Sequence, residues 1–152
     1  INYIIVGPLL ENQKRLIGNL KELIKSNNLI NVHFLGRRDD IPSILKSCDI
    51  YVCSSRFEAS PISVWEAMSM AMPIVATDVG DVKSIFDEHD CGLSVPVDDI
   101  EAISKAIIRY IDNPILMNAH SIKAREVAVN EFDITSCAKK HIEIYRSVIT
   151  GI

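Results

Sequence analysis

The sequence predicts an α/β fold, a parallel sheet with helices packed on both faces, in one domain over residues 1–152. Short apolar runs alternate along the chain with longer segments of helical periodicity, which is the pattern of βαβ units. Right-handed crossovers then place the helices in layers on either side of the sheet. With 152 residues, 48% of them hydrophobic, the chain can bury one substantial core.

The predicted strands are short apolar runs bounded by turn-forming residues. Gly36 follows the second run, Pro73 precedes the fourth, and Gly80 comes shortly after the fourth ends. These residues separate strands from helices. The predicted strands cover residues 3–6, 32–35, 50–54, 74–77 and, with a weaker pattern, 92–95.

The predicted helices follow from apolar periodicity and from capping residues. The pair Asp98-Asp99 is typical of a helix N-terminus, and Pro114 after Asn113 fits the first helical position. The helices cover residues 13–26, 41–47, 62–70, 82–88, 100–112, 115–129 and 134–149. The last three follow one another without strands, so we expect them to pack on the sheet or to reach a neighbouring domain.

Composition excludes several classes of function. The net charge of −4 argues against a nucleic-acid-binding surface, which would be strongly basic. No apolar run approaches the roughly 20 residues of a membrane-spanning helix. The four cysteines lack the spacings of a metal site, which indicates reduced thiols in a cytoplasmic protein. Because the chain begins at Ile1, within or just before a strand, we expect a piece of a longer protein.

Two carboxylates, Glu58 and Glu66, lie on either side of the predicted junction between the third strand and the next helix. Open α/β sheets bind ligands at this edge, beside a helix start. Each ionised carboxylate can accept two hydrogen bonds from neighbouring hydroxyls, so a sugar or ribose diol is a natural partner. Glu66 lies roughly 7 Å along the axis from Pro61, at about 1.5 Å per residue.

Between the carboxylates, the sequence predicts an anion site at the helix N-terminus. Ser60 fits the N-cap and Pro61 the first helical position. The amides of Ile62, Ser63 and Val64 would then be free to bind a phosphate, with help from the helix dipole. Two carboxylates that can each bind a diol, with an anion site between them, suit an elongated ligand such as a nucleoside diphosphate sugar.

A plainer interpretation remains open for the same residues. Glu66 shares a polar stripe with Ser63 and Ser69, so it could belong to the solvated face of a helix, and Glu58 could be a loop charge. Arg56 could pair with a carboxylate or reach a ligand. His89 is one candidate base, although a surface histidine is the commoner case. The histidines at 120 and 141 are expected to be solvated.

The ordered motifs of the chain resemble those of the retaining glycosyltransferases of family four, specifically their donor-binding half. The family signature is E-x7-E, which stands here as E-A-S-P at 58–61 and E-A-M-S-M-A-M-P-I-V-A at 66–76. The flanking elements also match: I-I-V-G at 4–7, V-H-F-L-G at 32–36, T-D-V-G at 77–80 and C-G-L-S-V at 91–95. The resemblance covers essentially all 152 residues.

This resemblance implies the C-terminal, Rossmann-like three-layer domain of a GT-B enzyme. Glu58 would contact donor-sugar hydroxyls, Glu66 would bind the ribose diol, and the backbone at Arg37 would lie beside the nucleobase. The implied donor-binding residues are Gly36, Arg37, Glu58, Ser60, Pro61, Ile62, Ser63 and Glu66, with Glu58 as the catalytic residue. The family needs no metal or other cofactor, and the basic residues that neutralise its diphosphate lie upstream of the first strand seen here.

The implied activity is transfer of a sugar, with retention, from a nucleotide-diphosphate sugar to a hydroxyl acceptor in polysaccharide, lipopolysaccharide or glycolipid synthesis. The implied partners are that donor, a saccharide or lipid-linked acceptor, and the protein's own N-terminal domain, in the cytoplasm or at the inner face of the membrane. The alternatives are a non-catalytic nucleotide-sugar-binding module and, more remotely, a GT-B epimerase or phosphorylase.

Some positions depart from the family pattern. Ala59 and Ala71 replace glycines, Asp81 replaces the second glycine after residue 79, and Lys83-Ser84 replaces a Pro-Glu pair. Ala59 would resist a positive φ, and Asp81 would bring negative charge towards the phosphate region. The two replacements of glycine by alanine favour the binding-module alternative.

Overall fold

The computed structural model describes residues 1–8 and 10–150. These residues form two compact units, the first ending at Ile41 and the second beginning at Pro42. The first unit is a βαβ unit. Strand β1 (Tyr3–Val6) leads through a 3-10 turn (Glu11–Gln13) into helix α1 (Lys14–Ser26), which returns to strand β2 (Val32–Gly36). The two strands pair in parallel, with Tyr3 opposite Val32.

The second unit alternates strands and helices and then ends in three consecutive helices. In this described part of the chain, its strands form one parallel sheet in the order β3-β4-β5. The elements are α2 (Ile41–Lys46), β3 (Tyr51–Cys53), α3 (Ile62–Ser69), β4 (Ile74–Thr77), α4 (Val82–His89), β5 (Leu93–Val95), α5 (Ile100–Asp112), α6 (Pro114–Glu131) and α7 (Ile134–Thr150).

The central strand β4 forms the middle of the core. All 4 of its residues are buried, so both faces of the strand are covered, as a central parallel strand requires. Val75 packs with Val95 of β5 and with Ala106 and Tyr110 of α5. This burial explains why the run Ile-Val-Ala-Thr has no polar alternation in the sequence.

Every predicted helix and strand is present, and its ends lie within two residues of the predicted ones. The N-caps predicted before α5 and α6 are confirmed: Asp99 accepts from the Ala102 amide, and Asn113 accepts from the Leu116 amide. The α/β class with parallel pairing is therefore confirmed. None of the described helices is long and apolar enough to cross a membrane.

His120 contradicts its predicted solvation. Its side chain is buried, and Nδ1 lies 2.8 Å from the hydroxyl of Tyr110, which itself donates to the Ile74 carbonyl. Nε2 faces Asp90 Oδ1 at 3.3 Å without good hydrogen-bond alignment. Burial lowers the pKa of His120 below its usual 6.5, and the Asp90 carboxylate opposes that shift only in part. His120 is therefore neutral in the folded protein at neutral pH.

We expect the free energy of unfolding to fall as the pH drops below 6.5 towards the lowered pKa of His120. In that window the unfolded chain binds a proton that the folded chain does not, so acid favours unfolding. Urea midpoints at pH 7.5 and 5.5 measure the effect. His120→Gln should lose stability at pH 7.5 yet show a smaller pH dependence; an unchanged dependence would contradict the assignment to His120.

Candidate donor-binding site at the carboxyl edge of the sheet

Glu58 lies in the loop after β3 (residues 54–61, the β3–α3 loop), where it is half-buried. The Ser55 hydroxyl donates to Glu58 Oε1 at 2.9 Å. The carbonyl of Ser55 in turn accepts from the hydroxyl of Thr77, at the end of β4, at 2.6 Å. Glu58 is therefore connected by two hydrogen bonds to the central strand, and its carboxylate is oriented rather than free in solvent.

A close backbone contact holds the same loop from the other side. Gly80 follows β4 with a φ of +56°, and a Cβ at this position would lie 2.4 Å from the Ala59 carbonyl oxygen. Only glycine accommodates both the conformation and the contact. Ala59 itself is not among the described residues with positive φ, so its methyl group is compatible with the loop. The predicted strain at Ala59 is therefore not found.

Arg56 connects this loop to the third strand of the sheet. Its Nε lies 2.6 Å from Oδ1 of Asp98, in the loop after β5. Of the two alternatives for Arg56, the structure shows pairing with a carboxylate. The pair is largely exposed, so it contributes little to overall stability. Its consequence is local, because it links two loops at the same edge of the sheet.

The capping of α3 differs from the prediction. The helix begins at Ile62 with Pro61 as the preceding cap residue, and no described side chain caps it. Ser60 was expected as the N-cap, but its hydroxyl accepts from the indole N–H of Trp65 at 2.9 Å. Val64 was expected to have a free amide, but it donates to the Pro61 carbonyl at 2.9 Å. Ser60 is not the cap because the helix begins one residue after the expected position, and the Val64 amide is not free because it bonds to the carbonyl three residues earlier, as in a 3-10 turn.

Two free amides remain at this helix start. Neither Ile62 nor Ser63 donates its amide hydrogen to an acceptor within the described residues. Free N–H groups at a helix N-terminus, together with the helix dipole, attract an anion. The anion site of the sequence analysis is thus narrower than expected, at two amides instead of three.

Glu66 lies one turn further along α3 with an exposed side chain. Its neighbour across the strand–helix junction is Tyr51 of β3, which the sequence analysis did not single out. Burial raises the pKa of the Tyr51 phenol, a hydrogen bond with Ser63 opposes the rise, and the charges of Glu66 and Glu58 add to it. Tyr51 therefore stays protonated at neutral pH. The alternation of Tyr51 with Val52 along β3 was the sequence signal that could have identified this residue.

Helix α6 holds the far end of α3. The Ser121 hydroxyl donates to the Ala71 carbonyl at 2.6 Å, and Arg125 donates to the Ser69 carbonyl. Ala71 has a φ of +56°, which explains why the family pattern has glycine at that position. Since these bonds satisfy carbonyls at the C-terminus of α3, they fix the helix that carries Glu66.

The remaining predicted site residues belong to other segments of the chain. Gly36 and Arg37 belong to the first unit, where Gly36 has a φ of +67° and Arg37 Nε lies 3.9 Å from Asp39. His89, the candidate base, ends α4 and pairs with Glu131 of α6 at 3.1 Å. The described residues contain no group of three or more histidine, cysteine or acidic side chains placed to hold a metal ion.

Comparison with known proteins gives one family throughout. The model of the family "Glycosyl transferases group 1" matches residues 1–127. An Escherichia coli UDP-Gal:alpha-D-GlcNAc-diphosphoundecaprenol alpha-1,3-galactosyltransferase is 30% identical over 77% of this chain and 30% of its own length. A Campylobacter jejuni N,N'-diacetylbacillosaminyl-diphospho-undecaprenol alpha-1,3-N-acetylgalactosaminyltransferase is 30% identical over 99% of this chain and 38% of its own length.

The fold is also that of solved proteins. The crystal structure of Anabaena HepE in complex with UDP has a TM-score of 0.91 at 23% identity, covering 97% of this chain and 41% of that one. This chain spans 30% and 38% of the length of the two curated relatives. The resemblance that the E-x7-E motif and its flanks indicated is confirmed: the chain belongs to the glycosyl transferases group 1 family.

Proposed function

We propose that this chain is the donor-binding part of a glycosyltransferase that moves a sugar from a nucleotide-diphosphate sugar to a hydroxyl acceptor. The observation that carries the proposal is the arrangement of Glu58 and Glu66 on either side of the free amides of Ile62 and Ser63. The carboxylates suit hydroxyl pairs and the amides suit a diphosphate. UDP in the HepE structure and UDP-Gal in the name of the Escherichia coli relative support this class of ligand.

Each group has a distinct role in this proposal. Glu58, held by Ser55, binds hydroxyls of the donor sugar, and Glu66 binds the ribose diol. The amides of Ile62 and Ser63 stabilise negative charge as it develops on the leaving diphosphate, which is electrostatic catalysis by fixed donors. The backbone at Gly36 and Arg37 borders the nucleobase. Ser60 and Pro61 shape the approach to the helix start.

The finer features of the reaction are also proposals. Transfer proceeds with retention of the anomeric configuration and without a bound metal, and the amides of Ile62 and Ser63 supply part of the electrostatic stabilisation of the leaving diphosphate. The acceptor is a hydroxyl of a saccharide or lipid-linked saccharide, as the diphosphoundecaprenol in both relatives' names suggests. The protein's own N-terminal domain binds that acceptor, at the cytoplasmic face of the membrane. Proton NMR of the first-formed product distinguishes retention from inversion.

The test of the proposal is nucleotide binding and donor turnover by the full-length protein. Glu66→Gln should weaken UDP binding about tenfold, since losing charge-assisted hydrogen bonds to a diol costs about 1.5 kcal/mol. Glu101→Gln is the matched control, because Glu101 pairs with Lys105 on the exposed surface of α5. Calorimetric titration with UDP measures both variants.

Two results would contradict the proposed function of the site. Equal UDP affinity in wild type and Glu66→Gln would remove Glu66 from the site. UDP binding without transfer or hydrolysis of any UDP-sugar would favour the non-catalytic binding module instead.

A further inference from the structure

We propose that Trp65 is a positioning residue for the diphosphate. Its indole N–H holds the Ser60 hydroxyl away from the start of α3 and so keeps the amides of Ile62 and Ser63 open to the ligand. The inference rests on the proposed function and deepens it, because it names the residue that keeps the anion site vacant for its substrate.

Ser60 is by type and position a competitor for these amides. It precedes Ile62 and Ser63 by two and three residues, the spacing at which a serine hydroxyl accepts from the first helical N–H groups. A serine in this place normally caps its helix and thereby satisfies a donor that an anion could otherwise use. A capped α3 would thus bind a diphosphate less well than an uncapped one.

The structure shows what diverts Ser60. Its oxygen accepts from Trp65 Nε1 at 2.9 Å, and its hydroxyl lies 3.5 Å from Oδ2 of Asp81, ahead of α4. Both contacts engage the Ser60 hydroxyl with partners other than the amides of Ile62 and Ser63. The bond from Trp65 is the stronger of the two, because 3.5 Å is long for a hydrogen bond between oxygens.

Trp65 is itself fixed by packing. Its ring lies against Phe132 at the end of α6, with centroids 4.9 Å apart and a tilt of 37°. Aromatic pairs at this distance attract each other beyond their buried area. The contact with Phe132 therefore restricts the orientation of the indole, and with it the direction of the N–H that Ser60 accepts.

Trp65→Phe is the primary test, because phenylalanine keeps the ring against Phe132 but lacks the N–H. In the full-length protein we expect UDP to bind about fivefold more weakly, the effect of one serine cap competing for the same amides. The KM for the donor should rise by a similar factor while kcat changes little. Circular dichroism and urea unfolding check that the variant folds.

The double variant Trp65→Phe/Ser60→Ala separates positioning from packing. Alanine has no hydroxyl to cap the helix, so the double variant should bind UDP more tightly than Trp65→Phe and within about twofold of Ser60→Ala alone, which measures any direct contact of the hydroxyl with the ligand. In the wild type, NMR should show faster hydrogen exchange at the Ser63 amide than in Trp65→Phe, where Ser60 protects it.

The outcomes are distinct. Trp65→Phe binding UDP as tightly as the wild type would overturn the inference, and so would a double variant as weak as Trp65→Phe, since ring packing would then be the cause. In both cases the wild type still binds UDP, and the proposed function stands. A wild type that does not bind UDP would overturn both.

Discussion

Glu58→Gln is expected to lower sugar transfer by about 100-fold or more, the cost of losing one preorganised electrostatic contact in an active site. Glutamine is nearly isosteric with glutamate, and its carbonyl oxygen can still accept from Ser55, as Oε1 does at 2.9 Å. The substitution therefore removes the charge and keeps the loop. Because Ser55 holds Oε1, we expect a donor-sugar hydroxyl to bind Oε2.

The measurement that checks this separates binding from chemistry. UDP affinity should change by less than about threefold, because Glu58 contacts the sugar and not the nucleotide in the proposed arrangement. The loss of activity should therefore appear as a lower kcat. Glu101→Gln again serves as the control for removing one negative charge. A parallel loss in UDP binding and kcat would indicate that Glu58 supports the whole site; an unchanged kcat would remove it from catalysis.

Gly80→Ala is expected to give the largest loss of stability. The new Cβ would lie 2.4 Å from the Ala59 carbonyl oxygen, against backbone that cannot rotate away as a side chain can. Strain at a φ of +56° costs about 1–2 kcal/mol, and relieving the overlap costs about 1–3 kcal/mol more. Because the displaced residue precedes Ser60 and follows Glu58, donor turnover should fall as well.

Gly36→Ala is the matched control for the part of the stability loss that comes from backbone conformation. Its φ of +67° is similar, but an added Cβ would meet nothing within 4 Å. It should lose only about 1–2 kcal/mol, measured as the change in the free energy of unfolding in urea. Equal losses in the two variants would show that conformational strain, and not the contact with Ala59, makes Gly80 necessary.

The fold was predictable because its signals are local. The apolar run of β4 is continuous where both faces are buried, and Asp99 and Asn113 cap the helices that their sequence positions indicate. The pairing of two acidic residues across a strand–helix junction is also a local pattern. It placed Glu58 and Glu66 at the carboxyl edge of the sheet before any contact was known.

The sequence predictions were wrong where a polar side chain had more than one possible hydrogen-bond partner. Ser60 was predicted to cap its own helix, yet it bonds to Trp65 and approaches Asp81, 21 residues away. His120 was predicted to be solvated, yet it is buried against Tyr110. A hydroxyl or imidazole bonds to whichever partner the fold brings nearest. The periodicity of apolar residues in the sequence does not predict which partner that is.

Residue order alone was thus enough to predict the α/β class, the element boundaries, the family and the paired carboxylates, because backbone propensity, burial pattern and motif spacing act over short stretches. Three-dimensional contacts were needed to establish which amides at the start of α3 are open, why residue 80 must be glycine and how Glu58 is oriented. The amides depend on the bond between Trp65 and Ser60. The glycine and the orientation of Glu58 depend on contacts between segments that are far apart in the sequence: Gly80 with Ala59, and Thr77 with Ser55, 22 residues apart.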